Sequence, residues 1–201
     1  MTNPLFYAKI LLFGEYGIIE DSQGLTLPYS FYKGTLKFSD LKGDFEKKSN
    51  HSLAKYSDYL ADLDLPEEYR LDVRKFQKDI AKGLFFDSNI PQGYGVGSSG
   101  ALVAAIFEKY SVVKRNPENI SKDELKDLKS VFGLLESYFH GKSSGIDPLI
   151  CYMNLPILIE NKNSVYKVSI PKEELGKGAI FLIDSGMTGE TGPMIQIFFE
   201  K

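Results

Sequence analysis

Cysteine, histidine and tryptophan are almost missing from this chain, and the first two scarcities exclude whole classes of chemistry. A single cysteine, Cys151, leaves no partner for an internal disulfide and no Cys-based zinc site. Two histidines, His51 and His140, are too few for a His-rich metal centre. Tryptophan is absent, which decides nothing about function, because Tyr and Phe are plentiful. A basic excess is missing too: the formal net charge is −3 over 201 residues. A dedicated nucleic-acid binder would carry the opposite imbalance, so no nucleic-acid partner is expected. A small anionic substrate would need only a local cluster of Lys or Arg. No apolar run approaches the ~20 residues that span a bilayer. Met1-Thr2-Asn3-Pro4 lacks the basic-then-apolar plan of a signal peptide. The expectation is a soluble cytoplasmic protein with no membrane partner. Internal repeats and low-complexity segments are absent as well, and the length suits one large domain or two small ones with a real core.

What is present is a glycine-rich turn, Pro91 to Ala101, entered from the apolar run Leu84-Phe85-Phe86 and left through a helical pattern (Leu102, Ala105, Ile106). Pro91 ends the extended segment. Gly93, Gly95 and Gly97 allow positive φ and close approach of the main chain to a ligand. Ser98 or Ser99 stands where a helix N-cap is expected, beside unpaired N–H groups. Such a turn is an anion site, and phosphate is the usual anion. It is not a P-loop, since no Lys lies between Asn89 and Gly100. The dinucleotide-binding spacing fits poorly as well.

Elsewhere the chain mixes strand and helix patterns without strict alternation, which favours α+β. Phe6 to Phe13 reads as a strand, apolar except for Lys9, and Gly14-Glu15 breaks it. Lys9 either snorkels to water from an edge strand or has a buried partner. A short strand is expected over 34–39 and a helix over 49–64, with Leu53, Tyr56, Leu60 and Leu63 on one stripe. A second helix is expected to open at Pro66-Glu67-Glu68, bury Tyr69, Val73, Phe76 and Ile80, and stop at Lys82-Gly83. Ser121-Lys122-Asp123-Glu124 is a capping box. The helix it starts carries Leu125, Leu128, Phe132, Leu135 and Phe139, with Glu136 on the flank, where a glutamate is usually solvated. The segment His140 to Pro148 is a second small-residue loop, and Asp147-Pro148 commonly starts a turn. A hairpin is expected over 156–170, a buried strand over 178–184, a third small-residue loop over 185–192 and a helix start at Pro193. No stop signal closes that last segment, so the fold is expected to continue past Lys201.

Four segments together resemble the GHMP kinase superfamily, and within it the mevalonate kinases most. Lys9 to Ile19 resembles the motif Lys-x-x-Leu-x-Gly-Glu-His, with Tyr16 in place of the histidine. Pro91 to Ala101 resembles the phosphate loop Pro-x-Gly-x-Gly-Leu-Gly-Ser-Ser-Ala, with Gly100 in place of the alanine. Glu136 to Asp147 resembles Glu-x-x-x-His-Gly-x-Pro-Ser-Gly-x-Asp, with Ser143 in place of the proline. Leu182 to Thr191 resembles a later strand and loop that carries a threonine, but lacks the Pro-Arg often found there.

The resemblance implies a GHMP kinase N-terminal fold (ribosomal protein S5 domain 2-like, a mixed sheet packed with helices). Residues 1–184 would form the ATP-binding domain and 185–201 the start of a linker or C-terminal domain whose remainder is absent. It implies phosphoryl transfer from ATP to a small-molecule alcohol, with Mg²⁺, most simply mevalonate; other GHMP alcohols (a sugar, homoserine, phosphomevalonate) and a non-catalytic nucleotide-binding unit are the alternatives. By the family pattern Asp147 is the base and Lys9 steadies the developing charge. Gly93, Gly95, Gly97, Ser98, Ser99 and Gly100 cradle the triphosphate. Ser99 and Glu136 hold the cation. Glu15, His140 and Thr191 lie at the substrate end. The partners implied are the alcohol and the missing C-terminal domain, with room for a homodimer.

Overall fold

The computed structural model describes residues 3–15, 17–169, 182, 183, 186, 189 and 196–200. The apolar run Phe6–Phe13 forms strand β1, and Gly24–Phe38 forms a 15-residue strand β2, longer at its start than the expected 34–39. Between them Gly14 turns at φ +97, where a Cβ would lie 2.6 Å from the Gln23 carbonyl oxygen. Helix α1 is Asp44–Ala61, α2 Val73–Ala81, and β3 Leu84–Ser88. Helix α3 is Ser98–Tyr110, α4 Lys122–His140, and α5 Ile146–Met153; β4 (Ile157–Asn161) and β5 (Ser164–Lys167) form the expected hairpin.

All pairings among the described strands are antiparallel, in the order β1-β2-β4-β5 with β3 also on β2. Strand β2 reaches three neighbours because it is long: Gly24–Thr26 pair with β4, and Gly34–Phe38 pair with β3. Its register against β1 jumps from Ala8↔Tyr29 to Tyr7↔Lys33, leaving residues 30–32 as a bulge. With helices segregated on this sheet, the fold is α+β, as the pattern of elements predicts.

Helix α3 lies in the centre. Ala101, Val103, Ala104, Ala105, Ile106 and Phe107 are all buried, so it is covered nearly all round. Its small residues let α5 come close: a Cβ on Gly100 would be 2.7 Å from the Asp147 carbonyl carbon. Leu125, Leu128, Phe132 and Leu135 of α4 close the core, each stabilising the fold by about 2 kcal/mol through burial. Tyr56 and Tyr59 of α1 donate hydrogen bonds to the carbonyls of Leu135 and Leu134, at 2.8 Å each, and so tie α1 to α4.

Other expected boundaries move as well, α1 starting at Asp44 and not at 49. Pro66 precedes only a 3₁₀ turn, Glu67–Tyr69, and α2 begins later because the Asp72 side chain caps it, accepting from the Lys75 N–H. Helix α1 ends at Ala61, so Leu63 packs on the core from beyond the helix. The capping box at Ser121 and Glu124 forms as the sequence indicates. Of the expected strand over 178–184 only 182 and 183 are described, and residues 196–199 are helical.

Candidate active site

The glycine turn joins β3 to α3, and its conformation follows from the glycines. Gly93, Gly95 and Gly97 all have positive φ, at 80°, 68° and 83°. Gly97 is also a close approach, since a Cβ there would stand 2.8 Å from Lys9 Cγ. Gly97, not a serine, is the N-cap of α3, and no side chain caps this helix. The expected serine cap fails for a physical reason. The left-handed N-cap conformation suits glycine, and the Ser99 hydroxyl is engaged elsewhere. It donates to Glu136 Oε1 at 2.9 Å and lies 3.0 Å from His140 Nε2. Among the described residues, none accepts a hydrogen bond from the amides of Gly95, Val96, Gly97, Ser98 or Ser99. The turn is therefore open to an anion at the positive end of α3.

Strand β1 runs beside this turn. The Lys9 N–H donates to the Val96 carbonyl at 2.9 Å, which occupies the outer edge of the strand. The Lys9 side chain does not snorkel. It is buried, and its Nζ lies 3.0 Å from Asp147 Oδ1. Burial works against the ammonium charge, but Asp147, aided by Glu15, outweighs it and holds the Lys9 pKa above the ordinary lysine value. Asp147 keeps 32% of its side chain exposed, so part of it is open to solvent. Its backbone sits in the first turn of α5 behind the N-cap Gly145, so Asp147-Pro148 opens a helix and not a bare turn.

Glu136 corrects the sequence reading most. It is 3% exposed, not solvated, because the stripe Leu125, Phe132, Leu135 turns it inward over the end of α3. Burial first, then the nearby Asp147 charge, push its pKa up to about 7, while hydrogen bonds from Ser143 and Ser99 and the Lys9 charge pull it back. Ser143 donates to Glu136 Oε2 at 2.5 Å. Periodicity could have found Glu136, four residues after Phe132. Nothing in the sequence announced that Ser143 would meet it.

Glu15 is exposed just beyond β1, close enough for its charge to act on Lys9. His140 ends α4, exposed, and meets Ser99. Gly93 accepts at its carbonyl from the Gly189 N–H at 3.2 Å, which brings residue 189 against the turn. Thr191 lies outside the described residues. Cys151, one turn after Asp147, packs beneath the turn with Sγ 3.9 Å from the Gly97 carbonyl. Burial, with Asp147 beside it, pushes its thiol well above the ordinary range, so the thiol stays protonated.

The site therefore gathers a buried lysine, a half-open carboxylate, a buried glutamate and a serine at the mouth of an open amide array. Ser99 and Glu136 present hard oxygen donors 2.9 Å apart, a set that fits Mg²⁺, which takes one or two protein oxygens and completes its shell from phosphates and water. Among the described residues no helix is long and apolar enough to cross a membrane.

A family model described as "GHMP kinases N terminal domain" matches residues 65–154. That stretch holds the glycine turn and the segment from Glu136 to Asp147; Lys9 and Glu15 precede it. Among solved structures, the chain is similar to the mevalonate kinase of Methanococcus jannaschii, at 15% identity and TM-score 0.49, covering 84% of this chain and 56% of that one. It is also similar to the mevalonate kinase of L. major in complex with R-mevalonate, at 18% identity and TM-score 0.44, covering 85% and 52%. A third is the enzyme from methicillin-resistant Staphylococcus aureus, at 18% identity and TM-score 0.46, covering 83% and 56%. The chain spans about half the length of the mevalonate kinases it matches. No curated protein matches it.

Proposed function

From a chain that resembles the GHMP kinases, most like the N-terminal domain of mevalonate kinase, we propose that this protein transfers the γ-phosphoryl group of ATP to the hydroxyl of a small alcohol, mevalonate in the first instance. On this reading residues 1–184 are the ATP-binding domain and 185–201 the start of a linker or second domain.

The observation that carries this reading is the Lys9–Asp147 pair, 3.0 Å apart, beside a glycine turn with unbonded amides. Phosphoryl transfer asks a protein mainly for alignment and charge neutralisation. The amides of Gly95 to Ser99 bind the phosphate oxygens. Asp147 accepts the alcohol's proton at a carboxylate oxygen as the alcohol oxygen bonds to the γ-phosphorus and the bond to the bridging oxygen breaks. Lys9 stays protonated and, with its Nζ 3.0 Å from Asp147 Oδ1, fixes the direction of that side chain. Ser99 and Glu136 would hold Mg²⁺, which when bound supplies charge neutralisation on the phosphates. Glu15 and His140 flank the opening where the alcohol enters.

The test is calorimetric titration of the full chain with ATP and Mg²⁺, followed by ADP-release assays with mevalonate, phosphomevalonate, homoserine and a sugar. Expected are ATP binding and turnover with one of these. Asp147→Asn should retain nucleotide binding and lose turnover, and Lys9→Met should lower it by about 10²–10³-fold, the scale of removing one charge-stabilising group. Absence of ATP binding would refute the proposal. Binding without turnover on any alcohol would select the second reading, a nucleotide-binding unit.

A further inference from the structure

We propose that Ser143 is a positioning residue that orients Glu136 toward the cation side of the site and couples it to the helix carrying Asp147; this rests on the reading of Ser99 and Glu136 as cation ligands.

The Ser143 hydroxyl is used in both directions. It donates to Glu136 Oε2 at 2.5 Å and accepts from the Gly145 N–H at 3.0 Å. Gly145 is the N-cap of α5, at φ +74, and a Cβ there would strike the Lys129 carbonyl of α4. Its backbone is thereby wedged against α4, and the hydroxyl that bonds to it cannot drift. A further contact closes the same joint: a Cβ on Gly133 would stand 3.0 Å from the Ser143 carbonyl oxygen.

The consequence falls on Glu136. A buried carboxylate with one oxygen unbonded would be free to rotate about its terminal torsion, which is broad. With Oε2 held by Ser143, only Oε1 is directed at Ser99, 2.9 Å away. Glu136 is then a single-oxygen ligand with a fixed orientation. Groups that orient a ligand in this way typically change cation affinity by 10–100-fold when removed. The same hydroxyl bonds the residue two before Asp147, so the cation side and the base side share one support.

Direct cation binding tests this, with Mn²⁺ as the probe and its free concentration followed by electron paramagnetic resonance on the full chain, without substrate turnover. Ser143→Ala should weaken Mn²⁺ binding by about tenfold or more, and Ser143→Thr, which keeps the hydroxyl, should restore most of it. Thermal melts in chelator verify that each variant is folded at the titration temperature. A Ser143→Ala variant that is folded and binds Mn²⁺ as wild type does would overturn the inference, provided Glu136→Gln abolishes binding. If Glu136→Gln also binds normally, the underlying cation-site reading fails, and this inference with it.

Discussion

Replacing Glu136 by Gln should make the unliganded protein more stable at alkaline pH while disabling it. The carboxyl is 3% exposed, and its pKa in the folded state is raised from 4.5 to about 7. A raised carboxyl pKa means that the native state binds the proton more tightly than the unfolded chain does. The stability this group contributes is therefore full below about pH 4.5 and is lost as pH climbs through about 7. A shift of that size corresponds to roughly 3 kcal/mol. Gln preserves the shape and carries no charge, so it escapes the penalty. Urea unfolding of wild type and Glu136→Gln in chelator, at pH 5 and pH 8, reads the difference directly, because every other titrating group is common to both. The two should differ little at pH 5. At pH 8 the variant should be more stable by up to about 3 kcal/mol. If Glu136 holds Mg²⁺ as proposed, supplying ATP with Mg²⁺ should reverse the order at pH 8. A variant no more stable at pH 8 than at pH 5, relative to wild type, would refute the claim that Glu136 is buried against its own charge and that of Asp147.

Two further outcomes follow from packing. Gly100→Ala, ordinarily neutral or favourable in a helix, should destabilise by about 1–3 kcal/mol, because the new methyl meets the backbone of Asp147 and Pro148 at 2.7 and 2.8 Å; a melting temperature equal to or above wild type would contradict the closeness of α3 and α5. Cys151 should be inert to a thiol-disulfide reagent in the native protein and react fully in urea, because it is buried and its thiol is held protonated. Rapid native labelling would show that the floor of the turn is open.

The individual residues at the site were poorly legible one at a time. Lys9 in an apolar strand fitted a snorkelling side chain as well as a buried one, because a strand pattern says which face a residue is on and not what lies opposite. Glu136 looked solvated because glutamates on helix flanks usually are, although its spacing from Phe132 already aimed it inward. Both serines satisfy the capping preference, but Gly97 rather than either serine suits the left-handed N-cap position beside Lys9.

The sequence by itself determined the class of elements, the α+β mixture, the hairpin, the capping box and the glycines that make an anion-binding turn, since these depend on local periodicity and backbone freedom. It also carried the four-segment resemblance, which depends on residue order alone. Only the tertiary structure decided that Lys9 and Asp147 are 3.0 Å apart, that Glu136 is buried, and that Ser143 holds it. Those facts arise from the close contact of α3 and α5 at Gly100 and from the wedge at Gly145. Which side chains meet across such contacts depends on the packing of segments far apart in the chain, and that is information no local pattern contains.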